Sequence, residues 1–210
     1  MRGESDSKVF IVDDDPSVRR SLKRLVRSHG LGARVFSSAR ELLSEDINPE
    51  VSGCLLLDVA MPEVSGIELQ AELRRRGVNL AIVFITGRGN IPMSVQAVKD
   101  GAFDFIEKPF DPAVLIKVVH HAIACSRRLV DEYSVLRQVQ KKYEALTHRE
   151  QEVFRLVVRG MLNKEVAIKL GIAEKTVKVH RSRVMAKMKA DSLATLVRLA
   201  DKLEFLPFTN

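Results

Sequence analysis

The 210-residue chain has no tryptophan, two tyrosines and two cysteines. Cys54 and Cys125 are distant in sequence and lack metal-ligand spacing. That excludes a disulfide scaffold and a cysteine zinc site, and predicts buried thiols in a reducing cytoplasm. No apolar run reaches the roughly 20 residues of a membrane helix. The start, "MRGESDSK", has no apolar core of the kind a signal peptide needs. The chain therefore reads as cytoplasmic and without membrane contact. Gly and Pro are absent from Ala113 to Arg159, which predicts helix through most of that stretch. Acidic residues are short only towards the end. The net charge is +7, but residues 1–120 sum to −1, 121–145 to +2 and 146–210 to +6. The excess base points to nucleic acid, or another acidic partner, at the C-terminal third.

The first part of the chain alternates two patterns. "KVFIV" (8–12), "GCLLL" (53–57) and "LAIVFIT" (80–86) read as strands, with shorter ones at Ala33–Phe36 and Asp104–Glu107. Helical patterns cover Ser17–Ser28, Ala39–Leu43, Ile67–Arg76, Met93–Asp100 and Ala113 onward. Strands without polar–apolar alternation are buried on both faces. With helices between them they predict a parallel, doubly wound α/β sheet of five strands. Ligands of such sheets bind beyond the carboxyl ends of the strands.

Those ends carry chemistry. The first strand runs into Asp13, Asp14 and Asp15, the third into Asp58, the fourth into Thr86, and the fifth into Lys108 and Pro109. Each residue alone has an ordinary reading as a solvated loop, a turn cap or a surface lysine. Together they bring carboxylates, a hydroxyl and an ammonium to one sheet edge. Clustered carboxylates repel, and a hard divalent cation, Mg²⁺ or Mn²⁺, relieves them. The set suits attack by the Asp58 carboxylate on a phosphoryl group.

"IVDDD", "LLLDVAMPEVSG", "VFITGRGN" and "FIEKPF" make residues 8–125 resemble the receiver domain of two-component response regulators, a flavodoxin-like fold. The resemblance implies that Asp58 accepts phosphate from a sensor histidine kinase. It implies metal binding by Asp13, Asp14 and Asp58 with the main-chain carbonyl of Ala60. Thr86 and Lys108 would handle the phosphoryl group, Phe105 would be the rotating aromatic switch, and Lys108–Pro109 would be cis.

Further on, Leu129, Tyr133, Leu136 and Tyr143 mark a helix face, either a solvated spacer or a relay that helps dimerise. "LTHREQEVFRLVVRG" opens with a capping box, Thr147 and Glu150. "NKEVAIKLGIAEKTVKVHRSRVMAKM" reads as helix, turn at Gly171, helix. Ala167, Leu170, Ile172, Val177 and Val184 face inward. This is the helix-turn-helix pattern, whose second helix enters the major groove. Residues 144–206 resemble the LuxR-type DNA-binding domain, and the two parts together resemble the FixJ/NarL family of response regulators, nearer FixJ in layout. Ala173 stands where that helix usually has a Ser or Thr cap. The recognition helix should span about Glu174 to Lys189. Lys178, Val179 and Ser182 should meet base edges, with Lys175, Thr176, Arg183 and Lys187 beside the backbone.

The expected organisation is a receiver (1–125), a helical linker (126–145) and a small all-α helix-turn-helix domain (146–210). The expected function is a phosphorylation-activated, DNA-binding transcriptional regulator that is not an enzyme. Its partners would be the kinase, double-stranded promoter DNA and a second copy when phosphorylated, with RNA polymerase a further candidate. One alternative is a metal-dependent phosphohydrolase with Asp58 as nucleophile. Enzymes of the haloacid dehalogenase type have a second Asp two residues on, where this chain has Ala60. Another is a constitutive DNA-binder with a degenerate receiver, against which the intact acidic set argues.

Overall fold

In the computed structural model, residues 8–87 and 101–204 are described. The chain divides into two compact units between Asp131 and Glu132. In the first, β1 (Lys8–Val12), α1 (Pro16–Ser28), β2 (Gly32–Phe36), α2 (Ala39–Ser44), β3 (Gly53–Asp58), α3 (Gly66–Arg75), β4 (Ala81–Thr86) and β5 (Asp104–Glu107) alternate as expected. The sheet is parallel throughout, in the order β2-β1-β3-β4-β5. The helix expected at Met93–Asp100 lies outside the described residues.

Unbroken apolar strands are explained by the two cores. Phe10, Val12, Leu55, Leu57, Ile82 and Phe84 point to one face, against Leu42, Leu69 and Leu73. Val9, Ile11, Cys54, Leu56, Val83 and Ile85 point to the other, against Leu22, Val26, Leu115 and Val119. Side chains alternate across a strand, so a sheet covered on both sides requires apolar residues at every position. Cys54 is fully buried and Cys125 half-buried, both as free thiols.

The helix after β5, α4, runs without a break from Pro112 to Glu144. Ser126, buried on it, accepts the Gly53 N–H at 3.0 Å and donates to the Asn79 carbonyl at 2.7 Å. This fastens α4 to the end of the sheet opposite the acidic residues.

The second unit holds α5 (His148–Val157), α6 (Asn163–Leu170), α7 (Glu174–Met188) and α8 (Leu193–Glu204). Val153, Phe154, Val157, Val166, Val177, Val184, Met188 and Leu196 form its centre. The capping box at the start of α5 is present: the Glu150 carboxylate accepts the Thr147 N–H at 2.8 Å, and the Thr147 hydroxyl accepts the Glu150 N–H at 3.3 Å. Gly171 ends α6 with φ +65°, a left-handed conformation that glycine adopts without steric cost. That conformation makes the sharp turn into α7.

Candidate functional site

The sheet order reverses direction at β1, between β2 and β3. Val12 on β1 is paired with Leu57 on β3, so the next residues, Asp13 and Asp58, emerge side by side from adjacent strands. Asp13 and Asp58 are buried and Asp14 is exposed. One carboxylate oxygen from each of the three lies within 4.8 Å of the others. Asp15 serves the helix instead. Its side chain accepts the Ser17 N–H at 2.7 Å and caps α1.

Lys108 follows β5 and its side chain returns to this edge. Its Nζ is 2.9 Å from Asp13 Oδ2 and 3.7 Å from Asp58 Oδ1. Its N–H donates to the Thr86 carbonyl at 2.7 Å, which fixes the loop to the end of β4. The Lys108–Pro109 bond is cis. Thr86 is buried at the same edge, and Phe105 is half-buried against the first core cluster. Ala60 is exposed in the loop after Asp58.

Burial pushes the Asp58 carboxyl above its ordinary value; Lys108 opposes this, Asp13 and Asp14 add to it, and the Val59 N–H opposes it. A carboxylate so placed is short of positive charge. The donor set is all oxygen and anionic, which fits a hard divalent cation of the Mg²⁺ or Mn²⁺ type. Gly66 explains the glycine of D-x-x-M-P-x-x-x-G. A Cβ there would sit 2.5 Å from the Asp58 carbonyl oxygen and 3.0 Å from the Phe84 ring.

In the second unit, α7 turns Val177 and Val184 inward and leaves Lys175, Thr176, Lys178, Val179, Ser182, Arg183 and Lys187 exposed. Ala173 is extended at the start of α7 and makes no side-chain cap. Val179 is 45% exposed. Lys178 is 3.3 Å from Glu174 of the same helix. Lys187, expected beside phosphates, has its Nζ 2.6 Å from Glu150 Oε2 and 3.1 Å from the Ala145 carbonyl.

Residues 9–120 match the response regulator receiver domain, and residues 144–200 match the bacterial regulatory proteins of the luxR family. The chain is 46% identical to Nodulation protein W of Bradyrhizobium diazoefficiens, over 93% of this chain and 86% of that protein. It is 42% identical to the transcriptional regulatory protein FixJ of Azorhizobium caulinodans, over 91% of this chain and 90% of that protein. The chain is a response regulator with a LuxR-type DNA-binding domain. The structure of the response regulator StyR is 43% identical and superposes with a TM-score of 0.81, over 94% of this chain and all of that one.

The response regulator thus joins a receiver to a DNA-binding domain, which makes it a phosphorylation-dependent regulator of transcription, with a histidine kinase and DNA as its partners. No helix among the described residues is long and apolar enough to cross a membrane. Sequence reasoning missed the bond from Lys187 to Glu150, and that from Arg181 Nη1 to Asn163 Oδ1 at 3.0 Å. The capping box marked Glu150, but nothing local marks a partner on another helix.

Proposed function

We propose that Asp58 accepts a phosphoryl group from a sensor histidine kinase. The carrying observation is the meeting of Asp13, Asp14, Asp58 and Lys108 at one sheet edge. An Asp58 carboxylate oxygen attacks phosphorus, the P–N bond of the phosphohistidine breaks, and the imidazole nitrogen leaves with the bonding pair. Asp13, Asp14 and Asp58, with the Ala60 carbonyl, would hold Mg²⁺ (or Mn²⁺). When bound, that ion neutralises the approaching phosphoryl oxygens and the repelling carboxylates.

Lys108 then changes partners. It bonds Asp13 and faces Asp58, while phosphorylation adds about −1.5 to −2 charges at Asp58. The ammonium is drawn to the phosphoryl oxygens. Thr86 donates its hydroxyl to them, and Phe105 turns into the space that Thr86 leaves. The altered surface then favours a homodimer, and two DNA-binding domains engage a two-fold promoter site.

On DNA, Lys178, Val179 and Ser182 lie at i, i+1 and i+4 and present one stripe to the base edges. Lys175, Thr176 and Arg183 lie beside the phosphates. RNA polymerase is a further proposed partner, and the cytoplasm the proposed location. The test is binding of genomic fragments with and without beryllofluoride as phosphoryl mimic. Tighter, Asp58-dependent binding supports the reading, and identical binding in both conditions overturns it.

A further inference from the structure

Of the seven α7 residues expected on DNA, Lys178 pairs within its own helix, with Glu174 at 3.3 Å, whereas Lys187 bonds groups outside α7. Lys187 is five residues beyond Ser182, about 140° round a helix of 3.6 residues per turn. It stands off the stripe formed by Lys178, Val179 and Ser182, beside the buried Val184 and Met188. Its ammonium reaches Glu150 Oε2 at 2.6 Å and the Ala145 carbonyl at 3.1 Å. Ala145 is the first residue past α4, where carbonyls lack helical partners. Gln151 Nε2 serves the same end, 3.4 Å from the carbonyls of Tyr143 and Leu146.

Glu150 is 2% exposed. A carboxylate that deep needs its cation, because breaking such a pair leaves a buried, uncompensated charge. Lys187 therefore cannot turn to a phosphate without stranding Glu150. Its side chain is still 38% exposed, so crowding does not force it inward.

We infer that Lys187 is a positioning residue for the recognition helix: with Glu150 and the Ala145 carbonyl it fixes α7 against the last turn of α4. This rests on the DNA-binding reading above. Through this node the base-reading stripe takes its angle from the end of the long helix. Glu150, remote from the stripe and buried, has the same duty from the other side.

The test uses the full chain and a duplex selected from a random library by the wild type, beside a scrambled duplex, over a series of salt concentrations. Lys187→Gln and Glu150→Gln should each lower the selected-to-scrambled affinity ratio about fivefold or more. The salt slope on scrambled DNA should stay at the wild-type value. Lys187→Arg, which keeps a cation within reach of Glu150, should restore the ratio. The double variant Lys187→Met/Glu150→Gln strands no charge, serves where a single variant fails to fold, and should lose the ratio to the same extent as the singles. The inference is overturned if Lys187→Gln weakens both duplexes equally and lowers the salt slope by about one, the mark of a phosphate contact. It is equally overturned if Glu150→Gln or the double variant keeps the wild-type ratio. A wild type that selects no sequence at all refutes the DNA-binding reading itself, a separate result.

Discussion

Asp58 is placed by a register: Val12 opposite Leu57 leaves two aspartates side by side with nowhere to separate. Two outcomes follow at this residue. Acetyl phosphate with Mg²⁺ should label the wild type and not Asp58→Asn; labelling of the variant would move the acceptor elsewhere. With EDTA present, Asp58→Asn should melt a few degrees above the wild type, because one of three repelling carboxylates is gone. Added Mg²⁺ should shrink that difference, and calorimetry with and without the ion measures it. Gly66 is a steric counterpart. Gly66→Ala drives a methyl against the Asp58 carbonyl, so it should cost about 1–3 kcal/mol and slow phosphorylation. Denaturant titration and phosphorylation kinetics check the two effects.

Among the elements, the strands of the sheet were the most legible. Five runs appear within a residue or so of their expected limits; β3 and β4 are buried at every position, while the edge strands β2 and β5 also carry polar, partly exposed residues. The ends of β1 and β3 were legible in the same way: an aspartate closing an apolar run stands out. What could not be read is any bond whose partners are far apart in sequence. Ser126 to Gly53 and Lys187 to Glu150 have no local pattern, since each exists only once helices are docked. The start of α7 was legible as a defect. Ala173 is extended, as a cap residue should be, but has no oxygen. Ala173→Ser should therefore stabilise the DNA-binding domain by about 1 kcal/mol, seen as a raised denaturation midpoint. At the start of α5, burial raises the Glu150 carboxyl, but bonds from Lys187 and Thr147 outweigh it and hold the group below its ordinary 4.5. A carboxyl lowered in the folded state stabilises above its unfolded value, and that contribution fades as pH falls through the folded one. The wild type should thus lead Glu150→Gln in thermal stability at neutral pH. The lead should close on acidification below about pH 4.5, and melting curves at stepped pH would show a constant gap if the pair were unimportant.

At the scale of the whole molecule, a phosphoryl group and a DNA helix are read by different units of one chain. Beryllofluoride should shift the wild type from monomer toward dimer in sedimentation, while Asp58→Asn stays monomeric; like behaviour of the two would remove assembly from the response. The two thiols offer a way to watch one unit alone. Cys54 is fully enclosed in β3, and burial drives its thiol far from ionisation, whereas Cys125 is half-buried on α4. Only the thiolate reacts with alkylating reagents. The second cysteine to be modified should then be Cys54, at a pace set by transient opening of the sheet. Residues 132–210 contain no cysteine, so that slow phase is a clock for the receiver alone, and its slowing under beryllofluoride would measure, in the same tube as a DNA-binding assay, how firmly the phosphorylated state grips its own strands.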